Sequence, residues 1–164
     1  MNGIQPTWLS AYAILMSGNR ASVPEKTQSA SDPSAFCAYI DIKIAYAESQ
    51  VGWMPFMLER LDAVYREGRG GVGGDGVLPS EVVRGRVFGC IFDDLFGLKV
   101  RDEVGVEQIL FETDYPHSDG TFPHSRKIAH GLFAAAGMNA EECYAVLRGN
   151  AIKAYGLERF GITE

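Results

Sequence analysis

A chain of 164 residues, 46% hydrophobic and 22% charged, is long enough for one domain with a real core and too apolar for wholesale disorder. Its net charge of −6 and the lack of a basic run exclude nucleic acid as a main partner. Three widely separated cysteines, Cys37, Cys90 and Cys143, share no CxxC spacing, which argues against a disulfide framework or a structural zinc site and for reduced thiols. The N-terminal residues lack the pattern of a secretory leader, and the apolar piece Trp8 to Met16 is too short to cross a bilayer. The expectation is a soluble, cytoplasmic protein with no membrane partner.

In chain order, Trp8 to Met16 reads as a short helix closed by Ser17, Gly18 and Asn19. Asn19 to Ala35 carries two prolines and many serines with no apolar period, so residues 1–36 form a helix plus irregular segment and 37–164 the folded domain. Tyr39 to Ser49 suits a strand buried on both faces. Gly52 to Gly68 sets Met54, Met57, Leu58, Leu61, Val64 and Tyr65 at helical spacing, with Pro55 in the first turn, where its missing N–H costs nothing. The glycines between Arg69 and Gly85 are too irregular for a phosphate-binding fingerprint and read as a flexible loop.

Arg86 to Asp94 is a second strand, Leu95 to Gly105 a short helix or turn, and Glu107 to Asp114 a third strand. Ser125 to Gly137 and Asn139 to Leu157 are two helices, the second with Asn139 as N-cap and two glutamates in its first turn. Strands alternating with helices predict an α/β fold with a parallel sheet. Every strand ends in polar, mostly acidic residues at the carboxyl edge, where such folds build their sites.

Asp114 is the leading candidate at that edge. A carboxylate just past a buried strand needs partners, because an unpaired buried charge is costly. It either caps the following turn, through Ser118 or backbone N–H groups, or serves as a metal ligand or general base. His117 and His124 lie in the loop beyond, where an imidazole binds metal, moves protons or holds a substrate carboxylate, and where many histidines are simply solvated. His130 falls on a helix face where packing accounts for it. Glu48 ends the first strand and faces the same edge, with Trp53 opening the next helix and an N-cap role open to the Ser49–Gln50 neighbourhood. Asp93 and Asp94 end the middle strand, and one of them is expected to cap the helix after it.

Three segments together, IKIAYAESQVGWMPFMLERLD, ILFETDYPHSDGTFPHS and GNAIKAYGL, resemble the carboxyl-terminal half of the amidohydrolase-related family. This is the amidohydrolase 2 branch of the metal-dependent hydrolase superfamily, which includes aminocarboxymuconate-semialdehyde and resorcylate decarboxylases. The resemblance covers Tyr39 to Phe160. It implies the C-terminal half of a TIM barrel, about strands 6–8, with its site at the carboxyl-terminal mouth. It makes Asp114 the metal-binding aspartate and puts Glu48 where the family's sixth strand often carries a histidine. The family's first-strand HxH pair and fifth-strand histidine have no counterpart, since all three histidines follow residue 116. A truncated, split or rearranged member is therefore expected.

The resemblance implies a hydrolase or non-oxidative decarboxylase of a small carboxylic or cyclic substrate. It implies a divalent metal, with Zn²⁺ favoured in a complete member because the ligands mix nitrogen and oxygen. On this reading Asp114 and His117 are catalytic, Asp114 holds metal, and Glu48, Trp53 and His124 contact substrate. The isolated chain is expected to bind metal weakly or not at all and to show no turnover. It is also expected to associate with itself or with a complementary N-terminal barrel segment. The competing expectation is an inactive fragment that serves as a packing or assembly module.

Overall fold

The computed structural model describes residues 13–16, 43–67 and 77–163. The Ser/Pro-rich segment, residues 39–42 of the first expected strand and most of the glycine-rich loop lie outside the described residues. Four strands form one sheet in the order β1 (Ala13–Met16), β2 (Lys43–Tyr46), β3 (Val87–Ile91) and β4 (Ile109–Phe111). β2, β3 and β4 run parallel, as the alternating pattern requires, with Ala45 opposite Phe88 and Cys90 opposite Leu110. β1 corrects the sequence reading. Ala13–Met16 is a strand paired antiparallel with β2, where a helix was expected. Local helix preference over four residues is weak, and pairing with the free edge of β2 overrides it.

The helices are α1 (Met54–Arg66), α2 (Pro79–Val83), α3 (Leu95–Lys99), α4 (Arg101–Val104), α5 (Ser125–Ala135), α6 (Ala140–Tyr144) and α7 (Asn150–Tyr155). A π turn, Ala145–Gly149, joins α6 to α7, so the single helix expected from Asn139 to Leu157 is interrupted where the turns widen. Asn139 caps α6 through Glu142 N–H, and the Glu142 side chain answers to the Asn139 N–H. The two bonds form a capping box around the N-cap expected at Asn139. Gly156, at φ 59°, ends α7 in the left-handed region that glycine enters at little cost.

The period-two alternation of the strands divides the core between the two sheet faces. Ile91 and Ile109, with Val87 and Phe111, face a cluster made with Val51, Met54, Leu98, Ala129, Phe133 and Val146. Ala45, Phe88, Cys90 and Leu110 face the other way and meet Ala151, Ala154 and Tyr155 of the last helix. β2 is less enclosed than its apolar run implied, for only Ala45 among Lys43–Tyr46 is fully buried. α1 is also less enclosed. Met54 is buried, yet Met57 and Leu61 of the expected apolar face remain 42% and 39% exposed.

Asn150 explains part of the GNAIKAYGL motif without any chemistry. Its side chain is buried and its Nδ2 donates to the carbonyls of Val106 at 2.7 Å and Ile109 at 2.8 Å, pinning α7 to the start of β4. Truncating it leaves two enclosed carbonyls without these donors. We expect Asn150→Ala to lower unfolding free energy by about 1–3 kcal/mol. Gly131→Ala, exposed in the middle of α5 with open space around its Cβ, should raise it by roughly 0.5–1 kcal/mol. Urea denaturation of both variants checks the pair, and an unchanged midpoint for Asn150→Ala would remove the pinning role.

Candidate metal centre

The carboxyl ends of β2, β3 and β4 carry Glu48, Asp93–Asp94 and Asp114, and the parallel register brings these ends to one edge. Their roles then separate. Asp94 is structural. Its Oδ2 accepts from Val51 N–H at 2.6 Å and Gly52 N–H at 2.9 Å, and its Oδ1 accepts from Gly97 N–H at 2.7 Å. One carboxylate thus caps α3 and also grips the β2–α1 turn. The grip needs close backbone approach. A Cβ on Gly97 would lie 2.3 Å from Asp94 Oδ2, and one on Gly89 would lie 2.4 Å from Val51.

The gripped turn presents Glu48. Its backbone sits at φ 56°, and Gln50 two residues on is at φ 53°. Asp114, after β4, is the third non-glycine residue in the left-handed region, at φ 54°. Such conformations cost about 1–3 kcal/mol each and cluster where side chains must be aimed. Gly120 folds the loop after β4 back onto Asp114, since a Cβ there would lie 2.7 Å from the Asp114 carbonyl oxygen. Thr121 closes that loop by donating from its backbone to the Thr113 carbonyl at 2.9 Å.

These turns bring together Glu48, Asp114 and His117. Each offers one ligand atom, and the three atoms lie within 4.8 Å of one another. His117 Nδ1 is 2.8 Å from Asp114 Oδ1 and 3.7 Å from Glu48 Oε1. Asp114 does not cap its turn through the carboxylate, the dull alternative open to the sequence. Its Oδ2 is buried with no hydrogen-bond partner among the described residues. A buried carboxylate oxygen with no partner, beside a second carboxylate and an imidazole, is a donor set that a divalent cation fits.

Glu112 is a site residue that the sequence reading passed over. Its Oε1 accepts from the Glu48 backbone N–H at 2.5 Å, so it fixes the chain at the residue that supplies a candidate ligand. Burial pushes its carboxyl above the usual range, and the nearby charges of Asp114 and Glu48 push the same way. The available signal was alternation, because Glu112 follows Leu110 by two and so belongs on the opposite face from Phe111.

Trp53 and His124, expected near substrate, do not join the cluster. The Trp53 indole N–H donates to the Ser49 carbonyl at 2.9 Å, closing the β2–α1 turn on itself, and the ring is 43% exposed. His124 stands at the N-terminus of α5 and lines a cavity with Pro123, Arg126, Lys127 and His130. His130 is exposed, so packing does not account for it. Burial raises the Cys90 thiol to about 12, which makes it an inert core residue.

His117 is held above its ordinary imidazole value, first by the hydrogen bond to Asp114, then by the charges of Asp114, Glu48 and Asp119. A raised folded-state value means the pair supports the fold below the ordinary histidine pKa, and that support is lost as pH rises through the raised value. Proton and cation compete for the same nitrogen, so metal affinity should rise with pH over that window. In the metal-free chain, NMR titration should give His117 a midpoint above the ordinary value of 6.5, falling towards it in Asp114→Asn. A midpoint indifferent to that substitution would contradict the pairing.

No curated protein matches the chain. A protein-family model described as Amidohydrolase matches residues 27–157, which include β2, β3, β4, the clamp at Asp94 and all three residues of the cluster. A parallel α/β sheet with its acidic residues at the carboxyl edge is consistent with part of that family's TIM-barrel-type domain. The chain belongs to the amidohydrolase family.

Proposed function

We propose that this chain is a metal-dependent amidohydrolase-like protein in which Glu48, Asp114 and His117 hold a divalent cation at the carboxyl edge of the sheet. The observation that carries the reading is the buried, partnerless Asp114 Oδ2 beside two further donors. When bound, the cation supplies Lewis acidity toward a small carboxylic or cyclic substrate, in hydrolysis or in non-oxidative decarboxylation. Asp114 anchors the cation and orients His117, whose Nδ1 holds a proton when the cation is away. Glu112 keeps the Glu48 backbone in place. Trp53 takes substrate contacts at the periphery, from the β2–α1 turn.

The mixed nitrogen and oxygen donors favour Zn²⁺. Glu48 and His117 are exposed, with side-chain exposures of 35% and 60%, so solvent competes and binding is weak for a zinc site. A second reading, an assembly module, is favoured by one feature. β4 stands at the end of the sheet with no strand on its outer side among the described residues, and open edges invite pairing. A second copy or a complementary barrel segment would cover that edge.

Calorimetric titration with Zn²⁺ separates the two readings. The metal reading expects one ion per chain with micromolar affinity, weakened on the order of 10–100-fold in Asp114→Asn and in His117→Ala. Heats unchanged in both variants would remove the site and leave assembly as the function. Sedimentation at several concentrations would then report the association.

A further inference from the structure

Two cavities on the α5 side of the molecule share a wall. The first, of about 440 Å³, is lined by Phe111, Ala129, Phe133, Met138, Cys143 and Leu147, with Arg126 and His130 at its border. The second, of about 460 Å³, is lined by Pro123, His124, Arg126, Lys127 and His130. Arg126 and His130 belong to both, so an apolar trough runs into a basic mouth. Each cavity is of the size that small ligands fill, and ligand sites pair an apolar lining with a few placed polar groups.

The mouth is positive in a chain whose net charge is −6. No acidic residue occurs between Asp119 and Glu141. Among the described residues, none of His124, Arg126, Lys127 and His130 is paired with a carboxylate. The acid nearest in sequence to Cys143 in the trough is Glu142, and it is already tied to Arg101, whose Nε and Nη2 reach its two oxygens at 2.7 and 3.1 Å. Two permanent cations with two imidazoles therefore stand, among the described residues, without a paired carboxylate at the end of an apolar trough.

From this juxtaposition we infer that the α5 face binds a free anionic amphiphile, a medium-chain carboxylate whose head meets Arg126 and Lys127 and whose tail lies between Phe133 and Leu147. Arg126 supplies the planar fork that matches a carboxylate, and Lys127 adds a second charge. Met138 offers a flexible wall that adapts to tail length. The site uses none of the residues of the metal cluster, so it stands or falls separately from the metal reading.

The test is calorimetric titration of the full chain with decanoate below its micelle concentration, with decanol and decyltrimethylammonium as matched tails and anionic phospholipid vesicles as a separate arm. Saturable binding of one decanoate per chain is expected, with the alcohol and the cation weaker by at least about tenfold. Arg126→Gln should weaken decanoate by about tenfold, Leu147→Asp should abolish binding, and Asp114→Asn should leave it unchanged. Because both side chains substituted in the site are exposed, melting curves should match the parent, and the His124 and His130 ring protons of the parent should shift on titration. If Leu147→Asp fails to fold, Arg126→Gln and the ring protons still decide. Decanol as tight as decanoate, heats that never saturate, an unaffected Arg126→Gln, unmoved ring protons, or vesicle binding without decanoate binding would each overturn the inference.

Discussion

The site depends on one carboxylate that never touches it. Asp94 accepts three backbone N–H groups, two from the β2–α1 turn and one from the first turn of α3. Hydrogen bonds to a charged acceptor are about twice as strong as neutral ones, and here they join two segments more than forty residues apart in sequence. The turn so held contains Glu48 and Gln50, both in backbone regions that non-glycine residues avoid. With the turn so fixed, Glu48 lies beside Asp114 and His117. The small residues Gly52, Gly89 and Gly97 follow from the same constraint, because each has no room for a Cβ where the turn, β3 and α3 converge.

The second constraint is electrostatic. Glu48, Glu112 and Asp114 gather three carboxyl groups at the strand ends, with the His117 imidazole beside them. Burial first, and then the charges of Asp114 and Glu48, hold the Glu112 carboxyl above its ordinary value, while the Asp114 hydrogen bond, aided by the neighbouring carboxylates, draws His117 towards its protonated form. A proton on His117 relieves part of the repulsion. A divalent cation would relieve more of it and would also satisfy the buried Asp114 oxygen. The metal-free site is thus strained in both backbone and charge, the condition expected of a site kept ready for a ligand.

Much of this was legible in the sequence because strand ends are legible. Apolar runs that stop on Glu48, Asp94 and Asp114 fix the three parallel strands and the edge they share, and Asn139 with Glu142 announces a helix start. Asp114 and His117 stand three residues apart just past a strand, and a tight turn brings the carboxylate and the imidazole together. What was not legible came from contacts between distant segments. Nothing local says that Asp94 reaches back to Val51 or that Glu112 takes the Glu48 N–H. The β1 strand was misread as a helix because its pairing with β2 is a tertiary effect. Nor does the sequence near His124 say that the start of α5 carries it into a cavity with Arg126, Lys127 and His130.

The central claim is that the strained strand ends converge on a cation, and anomalous diffraction tests it most directly. Crystals grown with saturating Zn²⁺ and measured across the zinc edge should show one strong peak bounded by Glu48, Asp114 and His117. Metal–ligand distances to the Asp114 oxygen and the His117 nitrogen should be ~2.0–2.2 Å. A well-ordered crystal with no peak there, or with its peak at His124 and His130 instead, would contradict the account.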